Sequence, residues 1–317
     1  MTRNPSTHAL LVAAIAAAGT AYAQDYPARP VRIITAPAGG GNDFSARLVA
    51  RGITGALGQQ VIVDNRPTLL GPELAAKADP DGYTVFLTGS AHWIGPLVSK
   101  VSYDPIRDFA SISLVDRTPV ILLVHPSLPV KSVAQLIALA KARPGELNFS
   151  TGGAGSSNYV GGMLFKHLAK IDIVRIPYKG SGPAMTGLMS GEAQLMFGSP
   201  GGSMSHVKAN RLRALGVGSA RRSSLVPELP TLEESGVRGF VAEALHVMLA
   251  PAATSPAIVS RLHKEIGRYV QSPEGKNQFL KSGVEPATST PEGLTRLIRS
   301  EMATIGRVLR VAGVNPQ

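Results

Sequence analysis

Short runs of β-branched and apolar residues hand over repeatedly to stretches with a helical period, and this alternation constrains the fold more than any other feature of the 317 residues. Residues 31–35 (VRIIT) read as a buried strand, 44–57 as a helix with Leu48, Val49, Ile53 and Leu57 on one face, and 61–64 as a second strand. A helix over 72–77, the turn Asp79-Pro80-Asp81-Gly82 and a strand over 83–88 follow. The same order returns with unrelated residues: strand 120–125, helix 132–142, strand 147–150, helix 157–169, strand 173–177 and helix 183–190. Such alternation predicts an α/β fold, helices flanking mainly parallel sheets, and a chain of this length divides into two lobes.

In open sheets of this kind, ligands bind beyond the carboxyl ends of the strands. Two turns stand at such places. ITAPAGGGNDFSAR (34–47) passes from a strand through Gly39, Gly40 and Gly41 into a helix; STGGAGSSN (150–158) does the same with small residues and hydroxyls. Glycines let backbone N–H groups approach an oxyanion, and a helix start adds unpaired N–H groups and a positive dipole end. Nucleotide cradles do not fit: the third fingerprint glycine would fall on Phe44, and no GK[ST] follows. Each turn alone is also satisfied by a purely structural role, a tight turn with a capped helix. Two of them, one per lobe, favour a two-sided anion clamp.

The first 23 residues read as an export signal: Arg3, an apolar run over 9–18, and the small-residue site Ala21-Tyr22-Ala23 before Gln24. No other stretch reaches the length of a membrane span. The chain has no cysteine, which removes disulfides, thiolate catalysis and thiolate metal ligands from consideration. Its formal charge is +11, and removing Arg3, the lone charged residue of the signal, leaves +10. The basic residues are scattered and aromatics make up only 5%, which argues against nucleic acid and for a solvated basic surface that draws in small anions.

Catalytic arrangements are missing from the sequence pattern. Gly201-Gly202-Ser203-Met204-Ser205 fails the nucleophile elbow at its last position. The seven histidines, His246 among them, form no H-E-x-x-H and no close pair at metal-ligand spacing. His92 follows the strand-end loop Thr88-Gly89-Ser90-Ala91 and reads as exposed or hydrogen-bonded. Glu233-Glu234 suit a helix start after Pro230-Thr231, and Met185, Met189 and Met196 suit core filling.

In order along the chain stand DYPARPVRIITAPAGGGNDFSAR, LGQQVIVDNRP, DPDGYTVFLT, YDPIRDFASIS, IPYKGSGPA and ELPTLEESGV. Together they resemble the Bug-type periplasmic solute-binding proteins that serve tripartite tricarboxylate transporters, and the resemblance spans nearly the whole mature chain. It implies a periplasmic-binding-protein fold closing on a small carboxylate, with no catalysis and no cofactor or metal. Lobe 1 would take 24–122, lobe 2 123–225, and 226–317 would return to lobe 1 and add C-terminal helices. The contacts it implies are Gly40, Gly41, Asn42 and Asp43 in the first loop and Thr88, Gly89 and Ser90 in the next. Across the cleft it implies Ser150, Thr151, Gly152, Gly155 and Ser156, with Tyr178. The implied partners are membrane transporter subunits, the protein itself acting as a monomer in the periplasm. A sensor subunit with the same cleft and an exported esterase-like hydrolase are the rival readings.

The sequence departs from the family pattern at four places: Thr35-Ala36 before the glycines, Thr68-Leu69-Leu70-Gly71 after NRP, Asn158-Tyr159 in place of a histidine, and Gly198 in place of an aspartate. Two roles for Asp43 stay open. Facing the cleft, it would repel a second carboxylate and orient water or accept from an amide or ammonium; capping its helix, it would add stability.

Overall fold

The computed structural model describes residues 26–38, 41–67, 70–153 and 156–311. The expected signal segment, Gly40 and Gly155 lie outside the described residues.

Two sheets organise the chain. The first six-stranded sheet runs β11-β4-β10-β3-β1-β2, built from β1 (Val31–Thr35), β2 (Val61–Asn65), β3 (Thr84–Gly89), β4 (Phe109–Pro119), β10 (Glu243–Pro251) and β11 (Glu285–Pro286). The second runs β7-β6-β8-β5-β9, from β5 (Ile121–Val124), β6 (Asn148–Thr151), β7 (Val174–Pro177), β8 (Leu195–Gly198) and β9 (Arg213–Val217). Parallel pairing appears where strand and helix alternate, in β1–β2, β1–β3, β6–β7 and β6–β8. Antiparallel pairs add β10 between β3 and β4, and β5 between β8 and β9, so both sheets are mixed rather than mainly parallel. The reason lies in the crossovers: strands that carry the chain between the sheets re-enter against the direction of their neighbours.

The periodic helices form as the spacing requires. In α1 (Gly41–Leu57), Leu48, Val49, Ile53 and Leu57 are all buried against the first sheet. α2 (Leu70–Ala76) and the short α3 (Ala91–Ile94) follow β2 and β3. In the second half, α4 (Val133–Ala142) is capped by Ser132, whose side chain accepts from Gln135 N–H, and α5 (Ser157–Leu168), α6 (Ser181–Met189) and α7 (Pro200–Lys208) cover the second sheet. Residues after β10 form α8 (Pro256–Gln271), α9 (Pro273–Lys281) and α10 (Pro291–Val311).

Three sequence readings change and a fourth holds. β4 was no part of the predicted alternation because FASISLVDRTP interleaves polar residues, yet its Ile112, Leu114 and Val115 are buried. The helix expected at Glu233-Glu234 is a single turn: Thr231 N–H donates to the Glu234 carboxylate and Glu234 N–H to Thr231 Oγ1. His92, expected to be exposed or hydrogen-bonded, is 3% exposed, and neither ring nitrogen has a partner among the described residues. The Asp79–Gly82 turn is structural as read, with Asp81 accepting from Arg29 and from Tyr83 N–H.

The halves meet at two adjacent crossovers. Val120 lies between β4 and β5, and Gly218 and Ala242 bound the return from β9 to β10. Backbone bonds join the three: Gly218 N–H to Val120 O (2.7 Å), Ala242 N–H to Gly218 O (2.8 Å) and Val120 N–H to Ala242 O (3.3 Å). Each half has its own apolar core, and a third cluster, which includes Tyr159 of α5 and Leu294 and Ile298 of α10, packs the C-terminal helix along the seam.

Candidate functional site

The first crest is assembled by three strand ends. β1 stops at Thr35, whose hydroxyl donates to Leu87 O (2.9 Å) and ties it to β3. α1 then opens at exposed Gly41, with Asn42 next to it. β3 ends at Thr88 and Gly89, and a Cβ on Gly89 would stand 3.0 Å from Asn42 Oδ1 and 3.2 Å from Leu245 O, so only glycine lets the two loops close up here. Gly41, Asn42, Thr88, Gly89 and Ser90 are thus brought together. Asn42 and Thr88 line a cavity of about 260 Å³ with Ala36, Phe86, His92 and Tyr103.

Asp43 is inside the first turn of α1, not ahead of it, so it is not the residue that caps the helix. Its buried carboxylate accepts from Asn65 Nδ2 at the end of β2 (2.8 Å) and pairs with Arg47 one turn on (2.9 Å). His92 stacks on Tyr103 at 4.8 Å and meets Phe86 and Phe109 edge-on. Burial with no compensating partner pushes its pKa down to about 3, so it stays neutral.

The second crest follows β6. Asn158 is its hub: Oδ1 accepts from Gly152 N–H (3.2 Å) and from Ser156 Oγ, and Nδ2 donates to Ser181 Oγ (3.0 Å). Thr151 Oγ1 accepts from Arg175 Nε (2.9 Å), and the same guanidinium lies over the Tyr159 ring. Ser150 Oγ is buried with no partner among the described residues, as is Ser90 Oγ at the first crest. Ser157, Asn158, Ser181 and Met185 line a second cavity, about 390 Å³, beside this crest. Tyr178 does not join them. It packs on α6, where a Cβ on Gly187 would collide with its ring and hydroxyl.

Between the crests, Ser90 from one half and Ser157 from the other line a third cavity of about 280 Å³ with Glu243, Leu245, Glu301 and Thr304. Burial raises the Glu301 carboxyl to about 7; the hydrogen bond from Trp93 Nε1 (2.7 Å) works against this and the charge of Glu243 adds to it.

One group of polar residues had no signal in the sequence. Ser45, Asp116 and His246 are all buried under the first crest: His246 Nδ1 is 2.6 Å from Asp116 Oδ1, Ser45 Oγ donates to Asp116 Oδ2 (2.6 Å), and Ser45 Oγ lies 3.2 Å from His246 Nδ1. His246 and Asp116 are 130 positions apart, so no local spacing announces them. The arrangement is not that of an activated nucleophile, because serine and aspartate share one ring nitrogen instead of sitting on opposite ones.

The chain matches the family model described as tripartite tricarboxylate transporter family receptor over residues 45–314. It belongs to that family, a class of solute-binding receptors. It is 33% identical to protein BugT of Bordetella pertussis, covering 99% of this chain and 98% of the relative. Among solved structures it is similar to Rpa4515 of R. palustris with adipate (TM-score 0.80, 32% identity, 92% and 100% covered). It is also similar to MatC of Rhodopseudomonas palustris with bound malate (TM-score 0.72, 26% identity, 90% and 100% covered).

Proposed function

We propose that this chain is exported to the periplasm with cleavage after Ala23, where as a monomer it captures a small carboxylate between its two lobes and delivers it to the membrane subunits of a tripartite tricarboxylate-type transporter. The observation that supports the reading is the matched pair of crests: on each sheet a strand ends in small residues at a helix start, and among the described residues the chain passes between the two sheets at adjacent crossovers, at Val120 and at Gly218 to Ala242. Backbone amides at Gly40, Gly41, Asn42 and Gly89, with the hydroxyls of Thr88 and Ser90, would grip one end of the ligand. Gly152, Gly155, Ser150, Thr151 and Ser156 would take the other. Tyr178 would act through the packing of α6. Bending at the crossovers closes the cleft, and a ligand that touches both crests stabilises the closed form by its differential affinity.

Relatives solved with adipate and with malate make dicarboxylates the first candidates. The test is a thermal-shift screen of mono-, di- and tricarboxylates, amino acids and aromatic acids, followed by small-angle scattering with the best binder. A binder at about 100 times its Kd should add about 2.7 kcal/mol of apparent stability, with a smaller radius of gyration. Turnover of generic esters, or stabilisation by amino acids alone, would sink the proposal.

A further inference from the structure

The register of the first sheet sets a crest glycine, a histidine and an aspartate in a row across three strands. Gly89 on β3 pairs with His246 on β10, and His246 pairs with Asp116 on β4; next to this pairing the β4 register slips, a bulge beside His246 and Val247. The imidazole therefore lies directly beneath the first crest. A Cβ on Gly41 would stand 3.0 Å from Nε2, and one on Gly89 would stand 3.6 Å from Cδ2.

The two ring nitrogens have different fates. Nδ1 faces the carboxylate of Asp116, so it carries a proton and donates. Nε2 has no partner among the described residues. The side chain is 10% exposed, and the ring edge that carries Nε2 faces exposed Gly41. A second proton on the ring thus falls on Nε2, next to the N-terminus of a seventeen-residue helix.

We infer that His246 is a ligand-binding residue of the first crest: protonated, its Nε2–H donates to the bound carboxylate alongside the α1 amides; neutral, it presents a lone pair to the same oxygen and repels it. This rests on the carboxylate reading of the cleft and deepens it, since it makes capture sensitive to pH. Burial works against a charged ring, but the charge of Asp116 and its hydrogen bond prevail and hold the imidazole above its ordinary range. Among the described residues the charge in contact with the ring is Asp116 of β4; α1 places Ser45 against it and carries the Asp43–Arg47 ion pair (2.9 Å) in its first turns, and β3 contributes Gly89. Glu243 on β10 itself faces Arg117 at 3.5 Å.

Calorimetry with adipate, malate and succinate at about pH 6 and about pH 8 tests the assignment. For a binder, the expected loss of affinity over that range is roughly tenfold, and binding near neutrality should take up protons, seen as a heat that varies with buffer ionisation enthalpy. His246→Gln should bind without pH dependence, near the wild-type value at the alkaline end. Asp116→Asn should move the wild-type profile to lower pH. In the wild type, the imidazole nitrogen resonances should report a raised His246 pKa when ligand is bound, a readout that needs no variant to fold. Flat wild-type affinity, an unshifted imidazole titration, or a His246→Gln profile with the wild-type slope would overturn the role of His246 while leaving the carboxylate reading intact. Failure of all three acids and of the wider carboxylate screen to bind at either pH would instead overturn that reading, and this inference with it.

Discussion

The two crests solve the same problem with different chemistry. The second is braced from within, Ser150 Oγ apart: Asn158 occupies Gly152 N–H, Ser156 and Ser181, and a guanidinium braces Thr151. The first is backed by a buried Asp116–His246 pair whose other ring nitrogen has no partner among the described residues. On the reading proposed above, the second crest would hold its shape and position the ligand, whereas the first, set over a titratable pair, would govern how tightly that ligand is held. The family departure at Asn158 belongs to this difference, because a neutral amide there both accepts and donates within the loop.

The largest effect that would break the comparison is at Asp116. Asp116→Asn leaves His246 and Ser45 without a charged acceptor in a fully buried place, and urea unfolding should register a loss of about 3–5 kcal/mol. Asn158→Ala should cost about 1–3 kcal/mol, since Gly152 N–H is left unpaired; calorimetry should find weaker ligand binding with the pH slope unchanged. If Asn158→Ala flattens the slope, the crests are not separable.

Stability against pH sharpens the contrast further. The folded imidazole of His246 holds its proton more tightly than an unfolded one, so its pairing with Asp116 stabilises the fold at acid pH. That contribution disappears as pH rises through the raised folded value. Glu301 acts in the same direction, losing its contribution between the ordinary carboxyl value of 4.5 and about 7. Denaturation of Glu301→Gln at several pH values should therefore remove the Glu301 share of the slope and keep those of His246 and of Glu243, whose carboxyl burial also raises, and adding His246→Gln should leave the Glu243 share. The smallest effect is expected for Arg175→Lys, which keeps the charge but gives up the paired contact of Nε with Thr151 Oγ1 and of a terminal nitrogen with Gly152 O. It should cost under about 1 kcal/mol and leave the pH profile of binding where it was.

Much of the fold was legible because its helices bury one continuous face and its central strands are apolar runs buried on both. VRIIT became β1 with the expected bounds, and the four apolar positions of α1 were all buried. β4 was harder to read, because an eleven-residue strand packed between β10 and β11 can carry serines and an aspartate whose partners come from distant elements. The two small-residue turns were read from glycine and hydroxyl content at strand ends, and the contact residues within them were implied by the family resemblance. Their supporting residues were not: Arg175 stands in an ordinary strand, and Tyr178, expected in the cleft, turns onto Gly187 because that glycine leaves a hollow in α6.

By itself the sequence determined the alternation of strands and helices, the two small-residue crests and the family, since these depend on local periodicity and on backbone freedom at particular residues. Only the tertiary structure decided what lies behind the first crest. Sheet register brings positions 45, 116 and 246 into hydrogen-bond distance, and register is a property of strands meeting across the fold, with no trace in the spacing of residues along one chain segment.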